Sequence, residues 1–410
     1  MTELLAYRFS PLLEGEFILY RGVSHGLVPT LLVAAAGEHP SPASLKRLEH
    51  QYALRADLDA GWAARPVELI RHEARLKLVL EDPGGEPLER LLEGPLEIAP
   101  FLRIAVPLTA VIGQMHARGL IHKDLKPANI LVDIASGGVW LTGFGVASRL
   151  PRERQGLAPP ELIAGTLAYM SPEQTGRMNR PIDSRSDLYA LGVILYQMLT
   201  GVLPFSASDP SGWIHCHIAR KPVSPSERVN AVPAQLSAIV MKLLTKTTEE
   251  RYQTAAGVEA DLRRCLSAWE AHRRIDPFPL AARDVSDRLA IAVRLYGREA
   301  EVGTLLAAFD RVVTHGTTEF VLVSGYSGIG KSSLVHELHK VVPPGGVFVA
   351  GKFDQYKRDI PYATLAQALQ SLVRHLLSKD DAELTRWRNA LFEALGPNGQ
   401  LMTCPGPTTR

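Results

Sequence analysis

The segment IHKDLKPANILV, Ile121 to Val132, constrains this chain more than any other stretch. Apolar ends bracket a polar loop. In it Asp124 follows His122 by two residues, Lys126 follows Asp124 by two, and Asn129 follows Lys126 by three. A polar turn between two strands explains the alternation but not four such side chains at fixed offsets. The remaining chain can enclose such a loop: of 410 residues, 46% are hydrophobic and 21% charged, which predicts packed cores and two or three domains. Lys+Arg 45 against Asp+Glu 43 leaves +2, which argues against a dedicated nucleic-acid binder. Cys216, Cys265 and Cys404 are too far apart for a disulfide framework or a zinc site, so a reducing cytoplasm is expected. No basic, then apolar, leader opens the chain. The longest apolar stretch, around LYALGVILYQMLTGVLPF, is too interrupted to span a bilayer, so no membrane partner is expected.

Residues 1 to about 80 carry short apolar runs, FILY, TLLVAA and LKLVLE, and the second and third predict strands. Between them, SPASLKRLEHQYALRADL has a helical rhythm with Ser41 or Ser44 as cap. From about residue 98 the texture turns helical. PFLRIAVPLTAVIGQMHARGL is amphipathic, DLYALGVILYQML sets Leu188, Leu191, Leu195 and Leu199 on one face, and QLSAIVMKLL forms a further apolar face. RYQTAAGVEADLRRCLSAWEA predicts a last helix capped by Thr254. Residues 271–293, mixed in charge and weakly periodic, predict a linker.

Downstream of the loop stands GTLAYMSPEQ, Gly165 to Gln174. Together the two segments resemble the catalytic loop and activation-segment end of eukaryotic-type protein kinases, with Ser171-Pro172-Glu173 in place of Ala-Pro-Glu. The resemblance covers about residues 1 to 270. It implies that Asp124 orients the substrate hydroxyl and takes its proton, that Lys126 neutralises the transferring phosphoryl group, and that Asn129 holds a metal ion. It implies that Thr166, next to Gly165 as in serine/threonine-specific members, reaches Asp124 and Lys126. Asp187 would brace the catalytic loop, besides serving as a helix N-terminal acid, and Arg251 would pair with Glu173.

The departures from that pattern bear on function. The metal-binding Asp-Phe-Gly reads Gly143-Phe144-Gly145. The third strand, TLLVAAAG, has Val33, Ala34 and Ala35 but no lysine, and the helix glutamate falls near Gln51. Glu49 is about 200° round the helix from it and faces elsewhere. Gly15, Gly22 and Gly26 do not have the spacing of a glycine-rich loop, and Lys123 replaces an arginine. Losing one preorganised group typically costs about 3–4 kcal/mol in an active site, and losses within one unit do not simply add. Two readings stay open: a pseudokinase, or an active serine/threonine kinase that recruits unconventional phosphate ligands such as Lys46 or Lys77. A small-molecule kinase is disfavoured, because Gly165 to Glu173 shapes a peptide platform.

A second motif, GYSGIGKSS, matches the phosphate-binding loop at Gly325, Gly328, Gly330, Lys331, Ser332 and Ser333. VLVS before it predicts a strand and SLVHELHKVV after it a helix. There Lys331 would bridge the β- and γ-phosphates and Ser332 would ligate magnesium. LYGREAEVGTLLAAF resembles the entry to AAA-type signalling ATPases, and GKFDQYKRDIPYATLAQAL is also similar to that family. The whole order resembles large bacterial trifunctional proteins, in which a serine/threonine-kinase-like domain, an AAA ATPase and a downstream histidine kinase share one chain. Asp380-Asp381 lacks the context of a Walker B acid, so a truncated domain is expected.

The expected architecture is an α+β two-lobed protein-kinase-like fold over residues 1–270 (N-lobe about 1–82, C-lobe about 83–270). The linker 271–293, an incomplete α/β P-loop NTPase domain over 294–396 and an unstructured tail over 397–410 follow. The expected role is signalling, with ATP and Mg2+ as cofactors and a protein substrate or regulatory partner.

Overall fold

The computed structural model describes residues 6–37, 40–72, 75–149, 165–176, 182–284, 297–326 and 329–336, with positions 349, 368, 369, 387 and 393 in isolation. The chain divides into two compact units, and the main boundary falls after residue 291.

In the first unit an antiparallel sheet is built from β1 (Arg8–Leu13), β2 (Phe17–Val23), β3 (Thr30–Ala35), β4 (Pro66–His72) and β5 (Arg75–Glu81), in the order β1-β2-β3-β5-β4. β3 lies centrally and all six of its residues are buried, which is why it reads as a continuous apolar run. Between β3 and β4, α1 (Pro42–Ala53) begins at Ser41, whose side chain accepts from the Ser44 N–H at 3.1 Å. Leu48 of α1 packs with Leu19, Leu31 and Leu78 of the sheet in one apolar cluster.

Arg21 of β2 ties this sheet to the segment leading into the second lobe. Its guanidinium donates to Asp82 Oδ2 at 2.7 Å and Oδ1 at 3.2 Å, to Glu86 Oε1 at 3.0 Å and to the Gly85 carbonyl at 2.6 Å.

The second lobe is helical. α2 (Ile98–Ala117), α3 (Ser184–Thr200), α4 (Pro210–Ile218), α5 (Pro225–Arg228), α6 (Ala234–Leu243) and α7 (Ala255–His272) surround the larger core. α2 has the length and apolarity of a membrane span, but Phe101, Leu102, Ala105, Leu108, Ile112 and Met115 are completely buried in that core. α3 starts at Asp183, whose carboxylate accepts from the Arg185 N–H, and stops at Gly201 with φ 73°. Short strands β6 (Glu86–Pro87), β8 (Ile130–Asp133) and β9 (Gly138–Leu141) form one small sheet; β7 (Leu120–Ile121) and β10 (Ser148–Arg149) form another.

The stretch read as a linker starts as part of this lobe. Phe278 is buried, and its backbone N–H and C=O are both met by the Gln235 side chain. Asp284 accepts from the Gln253 and Thr254 N–H groups at 2.6 and 2.9 Å, and so supplements Thr254 at the N-terminus of α7. Weak periodicity concealed a packed strap.

In the second unit, α8 (Glu299–His315) has Glu299 and Glu301 in its first turn and ends at Gly316. α9 (Lys331–His336) follows the glycine loop. The strand expected at VLVS is not formed: residues 317–326 carry no regular structure, and Phe320 and Leu322 are 90% and 77% exposed. A strand exists only by pairing, and no strand pairs with this segment among the described residues.

Candidate functional site

The loop from His122 to Asn129 turns between β7 and β8. Asp187, on the first turn of α3 and 1% exposed, accepts from the His122 N–H, the Lys123 N–H and His116 Nε2, each at 2.9 Å. A carboxylate spent on two backbone donors fixes the loop's path. His122 is completely buried; its Nε2 donates to the Thr142 carbonyl at 2.9 Å and its Nδ1 faces the Asp124 N–H at 3.3 Å. Burial pushes its pKa down, so it serves as a neutral spacer.

Asp124, Lys126, Asn129 and Thr166 converge. Thr166 donates to Asp124 Oδ1 from both its N–H and its hydroxyl at 2.8 Å, and receives Lys126 Nζ at 2.8 Å. Lys126 Nζ lies 3.5 Å from Asp124 Oδ2. Asn129 Nδ2 donates to the Asp124 carbonyl at 2.8 Å. The segment beyond Thr166 is anchored by Glu173 and Arg251, whose side chains are fully buried and joined by two hydrogen bonds of 2.7 and 2.8 Å. Burial alone would raise the Glu173 carboxyl. Arg251 and the Ser186 hydroxyl override it and hold the group below the usual carboxylate range.

Asp124, Lys126, Asn129 and Thr166 form the floor of a cavity of about 290 Å³. Its upper wall holds Phe17, Leu19 and Val33 from the sheet and Arg47 and Gln51 from α1. Val33 stands at the strand position where the kinase pattern has a lysine, and Gln51, 3% exposed, is the cleft-facing helix residue. Glu49 is exposed. Lys46 and Lys77 do not line the cavity. Lys46 is exposed on α1, and Lys77 pairs with Ala34, out of step with the inward Val33–Leu78 pair. Besides Lys126 of the floor, the cation that lines it is Arg47, which the kinase pattern does not point to. Its spacing four residues before Gln51 places the two on one helix face, but spacing alone does not say that this face meets the cleft.

The residues on the metal side do not fit a magnesium site. Gly143 has φ 79°, and a Cβ there would lie 2.5 Å from Asn129 Cγ and Oδ1. The asparagine side chain fills the space an aspartate would need. Magnesium takes near-octahedral oxygen coordination, whereas Gly143 supplies no side-chain ligand. Among the described residues, no cluster of three His, Cys, Asp or Glu side chains could hold a metal.

In the second unit, Lys331 Nζ donates to the carbonyls of Gly325 and Tyr326 at 2.7 and 2.8 Å, so the lysine folds back over its own loop. Gly325 and Gly330 have φ of 154° and 95°. Gly328, the Ser332 and Ser333 side chains, most of GKFDQYKRDIPYATLAQAL, Asp380-Asp381 and the tail lie outside the described residues.

Residues 63–261 match the family described as protein kinase domain, and residues 294–405 match the AAA ATPase domain. The chain is 31% identical over 395 residues to hybrid signal transduction histidine kinase G of Dictyostelium discoideum, across 75% of this chain and 11% of that protein. It is 34% identical over 212 residues to serine/threonine-protein kinase PknB of Mycobacterium tuberculosis, across 51% of this chain and 33% of that protein. The PknB of Mycobacterium leprae is 35% identical over 192 residues, across 46% of this chain and 30% of that protein. The chain thus spans a third or less of these relatives' lengths.

Proposed function

We propose, for a chain that joins a serine/threonine-kinase-like domain to an AAA ATPase domain as in the trifunctional signalling family, that the kinase lobe acts as a regulatory binding module with impaired phosphotransfer. Both domains are of a kind that handles ATP. The observation that carries the reading is Gly143 packed against Asn129. Phosphoryl transfer depends on positioning and charge neutralisation, and this contact removes one metal ligand and fills its place. Val33 and Gln51 extend the loss to the opposite wall. The platform from Thr166 to Glu173, still anchored on Arg251, offers a protein partner a rigid surface. A larger assembly with a histidine-kinase region is part of this proposal, as is a cytoplasmic location.

A second reading is favoured by the intact Asp124–Thr166–Lys126 arrangement, which would serve an unconventional but active kinase. The two part on one assay: transfer of labelled γ-phosphate to Ser/Thr peptides with magnesium, by the chain and by Asp124→Ala. The proposal expects no transfer above the Asp124→Ala background. Transfer abolished by that substitution establishes the second reading.

A further inference from the structure

Arg47 and Gln51 are four residues apart on α1 and both line the cavity. Gln51 is 3% exposed, and its Nε2 is buried without a hydrogen-bond partner. A buried donor without an acceptor is costly enough to be rare, and here it borders a cavity. Arg47 Nη1 donates to both carboxylate oxygens of Glu16, at 3.0 and 2.8 Å, on the loop between β1 and β2. Gly145 permits this placement of α1: a Cβ there would lie 2.9 Å from Arg47 Cβ. The positive charge absent from the strand at Val33 is therefore present on the helix, next to an amide that lacks an acceptor.

Building on the reading of this lobe as a nucleotide-handling module, we propose that α1 is the phosphate anchor of the cleft. Arg47 and Gln51 hold a phosphate group directly, without a divalent ion, and Glu16 occupies Arg47 when the cleft is empty. A guanidinium matches a phosphate bidentately, and a phosphate oxygen supplies the acceptor that Gln51 lacks. The Glu16 side chain is 56% exposed, so its pairing with Arg47 is of the weak surface kind that a multiply charged phosphate displaces. Lys126, also in the lining, adds a second cation. Glu14 and Glu89 at the exposed rim oppose the ligand, which makes the binding sensitive to salt.

The test uses the full chain carrying Lys331→Ala, which removes the lysine of the second nucleotide site. Fluorescent methylanthraniloyl-ATP is titrated in EDTA and in magnesium. The expected Kd differs by less than about threefold between the two buffers, since no metal-borne contact is involved. Arg47→Ala and Gln51→Leu each weaken binding about tenfold. Glu16→Gln tightens it about threefold, because its competitor charge is gone; damage to the fold would not produce such a gain. Competition by tripolyphosphate as strong as by ATP assigns the site to the phosphate chain alone, and stronger competition by ATP assigns it to the nucleotide. Binding that disappears in EDTA, that is undetectable in both buffers, or that Arg47→Ala leaves unchanged overturns the proposal. Asp124-dependent transfer would overturn the impaired-lobe reading by a separate readout, so the two failures are distinguishable.

Discussion

The floor and the roof of the cleft have been treated differently by this sequence. On the floor, Asp187 holds the loop backbone with two hydrogen bonds and accepts a third from His116 of α2, and Glu173 meets Arg251 in complete burial. On the roof and the metal side, the positions that line the cavity are Val33, Gln51 and Gly143. The floor residues hold the protein together whether or not anything reacts, because an unpaired buried charge destabilises the fold directly. The roof positions carry no charge whose burial demands a partner, although Val33 also packs in the apolar cluster of the sheet. Chemistry can therefore be lost from one face while the frame on the other persists.

The largest effect should come from the floor. Arg251→Ala leaves Glu173 buried without its partner and should lower unfolding free energy by about 3–5 kcal/mol in a urea titration. A loss under about 1 kcal/mol, the size of a surface pair, would erase the distinction between floor and roof.

The second test is pH. His217 of α4 donates from Nε2 to the Leu167 carbonyl at 2.8 Å, next to Thr166, and its Nδ1 accepts from the Tyr189 hydroxyl at 3.0 Å. Burial, helped by the nearby Lys246, pushes its pKa down to about 4. A neutral folded histidine contributes stability that is fully present above its unfolded pKa of about 6.5 and is lost as pH falls toward 4. Between pH 7 and 4.5 the loss should be on the order of 2–3 kcal/mol. His217→Gln should flatten that slope, measured by thermal unfolding across the range. An unchanged slope would mean that the platform is not held through this imidazole.

The smallest effect concerns the roof. Gly143→Asp should cost about 1–3 kcal/mol through overpacking against Asn129 and the positive φ. It should not create magnesium-dependent transfer in the labelled-phosphate assay. A gain of transfer would show that one missing carboxylate was the whole deficit.

The long helices and the loop residues were legible because their signals are local: a 3.6-residue rhythm, capping side chains at Ser41 and Thr254, and fixed offsets among Asp124, Lys126 and Asn129. Arg47 was not legible as a cleft residue. Its role depends on how α1 is rotated against the sheet and on the absence of a Cβ at Gly145, neither of which appears in spacing. The strap around Phe278 was missed because one buried aromatic and one glutamine hold it, with no period to read. At VLVS the composition was right for a strand, but pairing is a property of two segments.

Arg21 carries a consequence for motion. Four hydrogen bonds from one guanidinium to Asp82, Gly85 and Glu86 brace the crossover between the lobes against the sheet it leaves. An enzyme that opens and shuts on each turnover needs a compliant joint there. A guanidinium tied at four points resists such opening.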